Sequence, residues 1–208
     1  MKLSIPITLA FLLFLIFGCE NGKAPLPIEQ IVVKELNSLS QSGGESNLFV
    51  SEKGQVYFSW VEYLSDTTDA LKYATLEGAK WAEPKTIASS SQWFVNWADF
   101  PSVAVFSDEE ETLAAHWLQK SAGGTYDYDV RIALSKNSGD TWAPSFIPHR
   151  DSIAAEHGFV SLLPVSEHRI FATWLDGRNT KKENGAMTLR SAEFDQDGNL
   201  FEEVELDG

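Results

Sequence analysis

The segments VYFSWVEY (56–63), LAAHWLQK (113–120) and IFATWLDG (170–177) share a pattern of alternating apolar residues around one tryptophan. The three tryptophans are equally spaced, each 57 residues after the one before (117 − 60 and 174 − 117). Alternation over such a short stretch is typical of a β-strand with one buried face. The equal spacing indicates a repeated structural unit.

Each tryptophan segment is the second of four strand-like stretches, with turn residues between them. The first stretches are SNLFVSEKG (46–54), PSVAVFSDE (101–109) and GFVSLLPVSE (158–167), the third are ALKYATL (70–76), YDVRIALS (128–135) and AMTLRSAEF (186–194), and the fourth are KWAEPKTIA (80–88), TWAPSFIPH (141–149) and NLFEEVELD (199–207). Units of four short strands are typical of β-propeller blades. The sequence therefore predicts an all-β chain of four-stranded antiparallel blades. A β-sandwich is the alternative, but it does not predict equally spaced tryptophans.

The number of blades is small for a propeller, because such rings close with roughly four to eight blades. Three blades would leave two apolar blade faces open to solvent. The early stretch QIVVKEL (30–36) has no partner in the first unit and would suit the last blade of a closed ring. We therefore expect residues 30–208 to form three blades of a six-bladed propeller. They would be the amino-terminal half of a longer protein or would be completed by a second copy.

The amino terminus has the features of an export signal. Lys2 precedes the apolar run LAFLLFLIF (9–17), which is too short for a stable membrane span. The following IFGC (16–19) resembles the bacterial lipobox, whose cysteine is lipidated and becomes the mature amino terminus. This resemblance implies a signal peptide over 1–18, a lipidated tether over 19–29 and a lipoprotein anchored through Cys19 in a bacterial membrane, either periplasmic or at the cell surface.

Composition limits the partners of the chain. The formal net charge of −14 argues against binding to nucleic acid or to anionic lipid headgroups. Cys19 is the only cysteine, so an internal disulfide is excluded and packing must hold the fold together. A glycan or other small molecule, or a protein partner, is compatible with this acidic surface.

The segment SKNSGDTW (135–142) resembles the Asp-box, S/T-x-D-x-G-x-T-W, of sialidases and related BNR-repeat propellers. Ser135, Gly139, Thr141 and Trp142 match, and Asn137 stands at the aspartate position. The resemblance implies a structural hairpin turn between the third and fourth strands of a blade, on the side away from the ligand pocket. Asparagine can make the same backbone hydrogen bonds as aspartate.

The propeller topology places the loops between blades, and those between second and third strands, on one face, where ligands usually bind. We predict Asp99 and Glu156 as catalytic carboxylates there. The predicted substrate-binding residues on the same face are Trp97, Arg150, His157, Asp176 and Arg178. Aromatic rings stack on the apolar faces of sugars and charged groups bind their hydroxyls.

The resemblance to sialidases implies an acid/base carboxylate, a tyrosine nucleophile beside a glutamate, and three arginines that bind the substrate carboxylate. Asp99 would be the acid/base, and Arg150 and Arg178 would be two of the arginines. The chain departs from this pattern because its first arginine is Arg131, whereas the family has one near the first blade. The nucleophile would come from a later blade.

The four histidines are scattered without the spacing of metal ligands, so the sequence predicts no metal site and no cofactor. Three functions remain open. The chain is a sialidase-like propeller that binds or hydrolyses glycans, a noncatalytic propeller that serves as a platform for protein assembly at the membrane, or a nonfunctional fragment of a longer gene.

Overall fold

A computed structural model describes residues 32–207, which are almost entirely β-structure. The predicted signal peptide, Cys19 and the tether lie outside these residues. Of the predicted strand 30–36, the described part forms no strand, and the first strand begins only at Gly43.

Twelve strands of the described region form three antiparallel sheets. The first sheet contains β1 (Gly43–Val50), β2 (Val56–Ser65), β3 (Thr68–Glu77), β4 (Lys80–Trp81) and β5 (Lys85–Ser90). The second contains β6 (Ser102–Val105), β7 (Leu113–Lys120) and β8 (Tyr128–Ser135). The third contains β9 (His157–Ser166), β10 (Arg169–Asp176), β11 (Thr188–Asp195) and β12 (Val204–Asp207). These sheets are blades one, two and three of an incomplete β-propeller.

The repeated tryptophans occupy equivalent places, since each lies in the second strand of its blade. Blade two is buried on both faces, because residues 113, 115 and 117 pack on blade one while residues 114 and 118 pack on blade three. Trp117 and Trp174 therefore both point towards the preceding blade. By strand alternation Trp60 points the same way, opposite to Tyr57, which packs on blade two. Three sheets stacked in series exclude the β-sandwich.

The indole N–H groups follow the same repeat. Trp60 donates to Glu62 Oε2 at 2.7 Å, and Trp174 donates to Asp176 Oδ2 at 2.8 Å. In blade two the equivalent acceptor position is Gln119, and the indole N–H of Trp117 has no partner. A buried N–H needs an acceptor, which explains an acidic residue two positions after the tryptophan in a strand that is otherwise largely apolar.

The fourth strand of blade two is much shorter than predicted. Over 141–149 the pairing is reduced to Phe146, which exchanges backbone hydrogen bonds of 2.8 and 2.9 Å with Ile132, and to one further bond from Ala143. Pro144 and Pro148 cause this, because proline has no N–H to donate to a sheet.

The Asp-box segment forms the turn that follows β8. Asn137 Oδ1 accepts from the backbone N–H of Thr141 at 3.0 Å, and Ser135 Oγ accepts from that of Gly139 at 2.8 Å. Gly139 has φ of +79°, which favours glycine. Trp142 packs edge-on against Tyr73 of blade one. The turn thus links two blades on the side opposite to the predicted ligand face.

Within residues 32–207 no helix has the length and apolar character that crossing a bilayer would require.

Gly54 and Gly139 have similar φ angles but different surroundings, so substituting each of them distinguishes the cost of backbone strain from the cost of lost packing. A Cβ at Gly139 would lie 1.9 Å from the Tyr73 hydroxyl oxygen, whereas one at Gly54 (φ +80°) would meet nothing within 4 Å. Gly54→Ala should cost about 1–2 kcal/mol of unfolding free energy from the left-handed conformation alone. Gly139→Ala should cost about 1–3 kcal/mol more, because it also displaces Tyr73. Urea unfolding measures both, and equal losses would contradict the packing role of the turn.

Candidate functional site

The loops between blades and those between second and third strands share one end of the blades, which we call the connection face. In the described region this face comprises residues 66–67, 91–101, 121–127, 149–156 and 177–187. Two of its contacts join different blades. The backbone N–H of Phe159 donates to Asp99, and Lys181 pairs with Asp127 at 3.3 Å.

Asp99 is the most unusual carboxyl group on this face. Its side chain is buried, its Oδ1 accepts from Phe159 N–H at 2.8 Å, and its Oδ2 has no hydrogen-bond partner. Burial raises the pKa of Asp99 to about 6, and the nearby charge of Glu156 adds to the effect, against the opposing bond from Phe159. A carboxyl group in this state can release or accept a proton in mildly acidic solution.

Tyr128 and Glu156 adjoin Asp99. The Tyr128 hydroxyl donates to Glu156 Oε1 at 2.9 Å, and its buried ring stacks on Phe94 with a centroid distance of 4.0 Å. Burial and the bond to Glu156 raise the pKa of Tyr128 far above its ordinary value, so the phenol stays protonated and orients Glu156. Sequence reasoning selected both carboxylates but missed Tyr128, whose only signal was its place at the start of the third strand.

Gly158 allows Asp99 and Tyr128 to approach each other. A Cβ at this position would lie 2.1 Å from Asp99 Oδ2 and 3.0 Å from the Tyr128 ring. The next residue, Phe159, has φ of +53°, a strained conformation for an aromatic side chain, and its N–H is the group bound by Asp99. Strained backbone of this kind clusters at functional sites.

A cavity of about 450 Å³ lies beside these residues, between the first strands of the three blades. Its lining includes Asn47, Asp99, Phe100, Ser102 and Phe159. The rings of Phe100 and Phe159 are about four-tenths exposed at its edge. Trp97 is 85% exposed, two residues before Asp99, in the turn closed by the bridge between Asn96 and Asp99. The cavity therefore combines one buried acid with exposed aromatic surface.

The two arginines predicted to bind substrate are engaged within the protein. Arg150 donates through Nη2 to the backbone carbonyl groups of Leu200 and Phe201, and its N–H donates to Glu203. Arg178 Nη2 lies 2.6 Å from Asp176 Oδ2, 3.0 Å from Asp151 Oδ2 and 2.7 Å from Glu203 Oε1. The Arg178 guanidinium would have to give up these partners to bind a ligand carboxylate, whereas the exposed Arg150 uses only its Nη2 group.

His157 and Asp176, also predicted as substrate-binding residues, have no exposed surface. Their side chains lie against Asp151 and Arg178, respectively, inside the protein. Burial alone would raise the pKa of Asp176, but the hydrogen bonds from Arg178 and Trp174 hold it at about 2. Asp176 is therefore a fixed negative charge inside the protein.

Two histidines that are eight positions apart meet in this buried region. The rings of His149 and His157 stack with centroids 3.9 Å apart and planes 4° apart. Within the described region, two overlapping triplets have the residue types of a metal site, Asp129 with both histidines and Asp151 with His157 and Asp176. In the first triplet the two imidazole rings are parallel, so their nitrogen lone pairs do not point towards a common metal position. In the second triplet the carboxylates of Asp151 and Asp176 already pair with Arg178. The geometry suits protons better than a metal ion.

No protein family and no curated protein matches the sequence of the chain. Solved structures match its fold. An α-L-arabinofuranosidase from Fusarium graminearum, in complex with an iminosugar inhibitor, has a TM-score of 0.51 and 11% identity over 81% of this chain and 54% of that one. A protein of unknown function from Dyadobacter fermentans has a TM-score of 0.53 and 11% identity over 78% and 41%. An endo-1,4-β-xylanase from Bacteroides thetaiotaomicron has 0.50 and 10% over 81% and 62%.

At these identities the likeness shows the fold alone, a β-propeller. The chain spans about half the length of the arabinofuranosidase that it matches.

The raised pKa of Asp99 predicts a pH-dependent stability. The folded state holds this proton more tightly than the unfolded state, so the contribution of Asp99 is present below about pH 4 and is lost as the pH rises through about 6. Asp99→Asn, which cannot ionise, should exceed the wild type in unfolding free energy by about 2–3 kcal/mol at pH 8 and by little at pH 4. Urea unfolding at both pH values measures this, with the exposed Asp66→Asn as control. A difference independent of pH would refute the assignment.

Proposed function

We propose that this chain belongs to an exported, lipid-anchored propeller that binds or hydrolyses a glycan at the cavity beside Asp99. The observation that carries the proposal is the buried Asp99 carboxyl group, with one oxygen unpartnered and its pKa raised to about 6. A glycosidase needs one carboxyl group that keeps its proton for the leaving oxygen and a second that is ionised. Two neighbouring carboxyl groups can take these two roles when their environments differ, so that one stays protonated while the other is ionised.

In this proposal Asp99 is the general acid and Glu156 is its partner. Tyr128 holds Glu156 by a hydrogen bond of 2.9 Å, so Glu156 has a fixed orientation next to Asp99. Trp97, Phe100 and Phe159 offer exposed ring faces on which a sugar can stack. The cavity of about 450 Å³ has the size of a site for a small saccharide.

The charges of the site favour a neutral glycan over the acidic sugar of a sialidase. Arg150 and Arg178 are bound to groups of the protein, and no arginine precedes Arg131 in the chain. The ionised partner Glu156 would repel a sugar carboxylate, and so would a chain with a net charge of −14. Arabinosides and xylosides are therefore the first substrates to test, since an arabinofuranosidase and a xylanase share the fold.

A noncatalytic platform for protein assembly is the second candidate. It is favoured by the internal pairing of both arginines and by the exposed aromatic residues Trp97 and Tyr126 on the connection face. Aromatic residues are enriched in protein interfaces. A folded protein that turns over no glycoside would favour this role.

Loss of the general acid should abolish turnover. We expect the full chain to hydrolyse an aryl arabinoside or xyloside in a panel that also contains a sialoside and hexosides. Asp99→Asn should lower kcat at least about 100-fold, which is the usual contribution of general acid catalysis. Asp66→Asn, an exposed change on the same end of blade one, should leave kcat unaltered. Equal activity in both variants would remove Asp99 from the mechanism, and preference for the sialoside would overturn the neutral substrate.

Anchoring through Cys19 is tested by labelling. Expressed in a bacterial host fed with labelled palmitate, the wild type should carry the label and sediment with membranes, because a thioether-linked lipid and its amide-linked acyl chain hold it there. Cys19→Ser should lose both properties, and the neighbouring Asn21→Ser should keep them. A label that persists in Cys19→Ser would contradict the proposed anchor.

A further inference from the structure

The ring of His157 is surrounded by oxygen acceptors. Its Nδ1 lies 3.2 Å from the Tyr128 carbonyl oxygen and 3.6 Å from Asp129 Oδ1. Its Nε2 lies 3.3 Å from Asp151 Oδ2 and 3.7 Å from Asp176 Oδ2. Nε2 is not aligned for a hydrogen bond with either carboxylate, but a neutral imidazole would still leave one nitrogen lone pair beside these oxygens and repelled by them. Protons on both nitrogens remove that repulsion.

We propose that His157 is a buried imidazolium ion that positions the Tyr128 and Glu156 pair. The charged state follows from the contacts of His157 alone, while its positioning role rests on the function proposed above. The side chain has no exposed surface, so its charge interacts with its partners through protein and not through water.

His149 supports this assignment. Its Nδ1 lies 3.0 Å from Asp151 Oδ2 and can donate to it, while its Nε2, 3.6 Å from Asp129 Oδ1, has no hydrogen-bond partner. Burial, and then the neighbouring His157, lower the pKa of His149. A neutral His149 ring at 3.9 Å therefore covers one face of the charged ring without adding a second like charge.

The surrounding charges leave room for one more cation. The groups that face the stacked rings come from β8 (Asp129), the loop before β9 (Asp151), β10 (Asp176) and the short 3₁₀ helix (Arg178). Glu203 joins them through Arg178, and Arg190 pairs with Glu203 at 3.2 Å. Arg190 also pairs with Glu205, so five carboxylates lie with two guanidinium groups in this cluster. Buried charge without compensation is costly, and an imidazolium at the centre of the cluster reduces the imbalance.

This cation lies where three parts of the candidate site meet. Through Nδ1 it bonds to the carbonyl group of Tyr128, whose hydroxyl binds Glu156. Through Nε2 it reaches Asp176 on β10, and the adjacent Gly177 N–H donates to the Glu156 carbonyl oxygen at 2.7 Å. Losing the proton would weaken the contacts of β9 with both neighbours. The orientation of Glu156 would then be lost before the fold itself.

Histidine-selective ¹⁵N NMR of the full chain tests the charge without any substrate. At pH 7 one buried histidine should show both ring nitrogens protonated, with slowly exchanging N–H signals. His157→Gln should remove this pair of signals, while His168→Gln should remove only an exposed histidine, whose side chain is about 73% exposed. His116 provides an internal reference for a neutral ring, because burial lowers its pKa to about 3.

A neutral His157 at pH 7 would overturn the proposal. Stoichiometric perturbation of the same signals by Zn²⁺ alone would also overturn it, because the cluster would then be a metal site. If His157→Gln does not fold, the wild-type spectrum together with His149→Gln, which should keep the doubly protonated ring, still decides between these outcomes.

A second measurement separates positioning from general stability. In an active preparation the alkaline fall of kcat should follow the pH at which NMR shows the proton leaving His157, with KM nearly constant. A fall of kcat unrelated to that titration would reject the positioning role even where the imidazolium is observed. Absence of activity would refute the proposed function and leave the NMR result standing.

Discussion

The packing of the second-strand tryptophans of blades two and three against the preceding blade is the interaction on which the rest of the structure depends. Trp117 and Trp174 fill the two interfaces between blades, and Trp174 is completely buried. At about 25 cal/mol per Å², burying an indole ring of about 200 Å² contributes roughly 5 kcal/mol before the entropy cost. The same ring fixes the site, because its N–H binds Asp176, which in turn holds Arg178. Blade packing and the polar cluster are therefore one connected structure.

The sequence predicts the structural features that repeat along the chain, but it does not predict those that depend on tertiary contacts between separate segments. Equal spacing of tryptophans predicts the second strands and, through them, the blades. Asp99 and Glu156 could be selected because topology places both in loops between blades. The stacked pair of His149 and His157 could not, because histidines eight positions apart have no metal-ligand spacing, and only the turn into β9 brings the rings together. The short fourth strand of blade two was a local error, since its two prolines were visible in the sequence.

Asp99 and Asp176 show how one residue type receives two opposite roles on the same face. Both carboxyl groups are buried, and burial alone would raise the pKa of each. Asp176 accepts hydrogen bonds of 2.6 and 2.8 Å from Arg178, which hold its pKa at about 2. Among residues 32–207 Asp99 has no cation beside it and accepts only one backbone N–H bond, so burial raises its pKa to about 6. The arginine that sequence reasoning assigned to substrate is thus what keeps Asp176 ionised, and Asp99, which has no such partner among the described residues, has the raised pKa.

Three consecutive residues at the start of β9 join these effects. His157 binds the polar cluster, Gly158 lets Asp99 approach the Tyr128 ring, and the strained Phe159 donates its N–H to Asp99. A side chain at position 158 would separate the acid from its neighbours, and a relaxed backbone at position 159 would turn the N–H away from it. The ring of His157, two residues earlier on the same strand, is completely buried, and a strained backbone persists only where its surroundings hold it. His157 and the Asp99 contact are therefore held by the same short piece of backbone, and a substitution at one should alter the other.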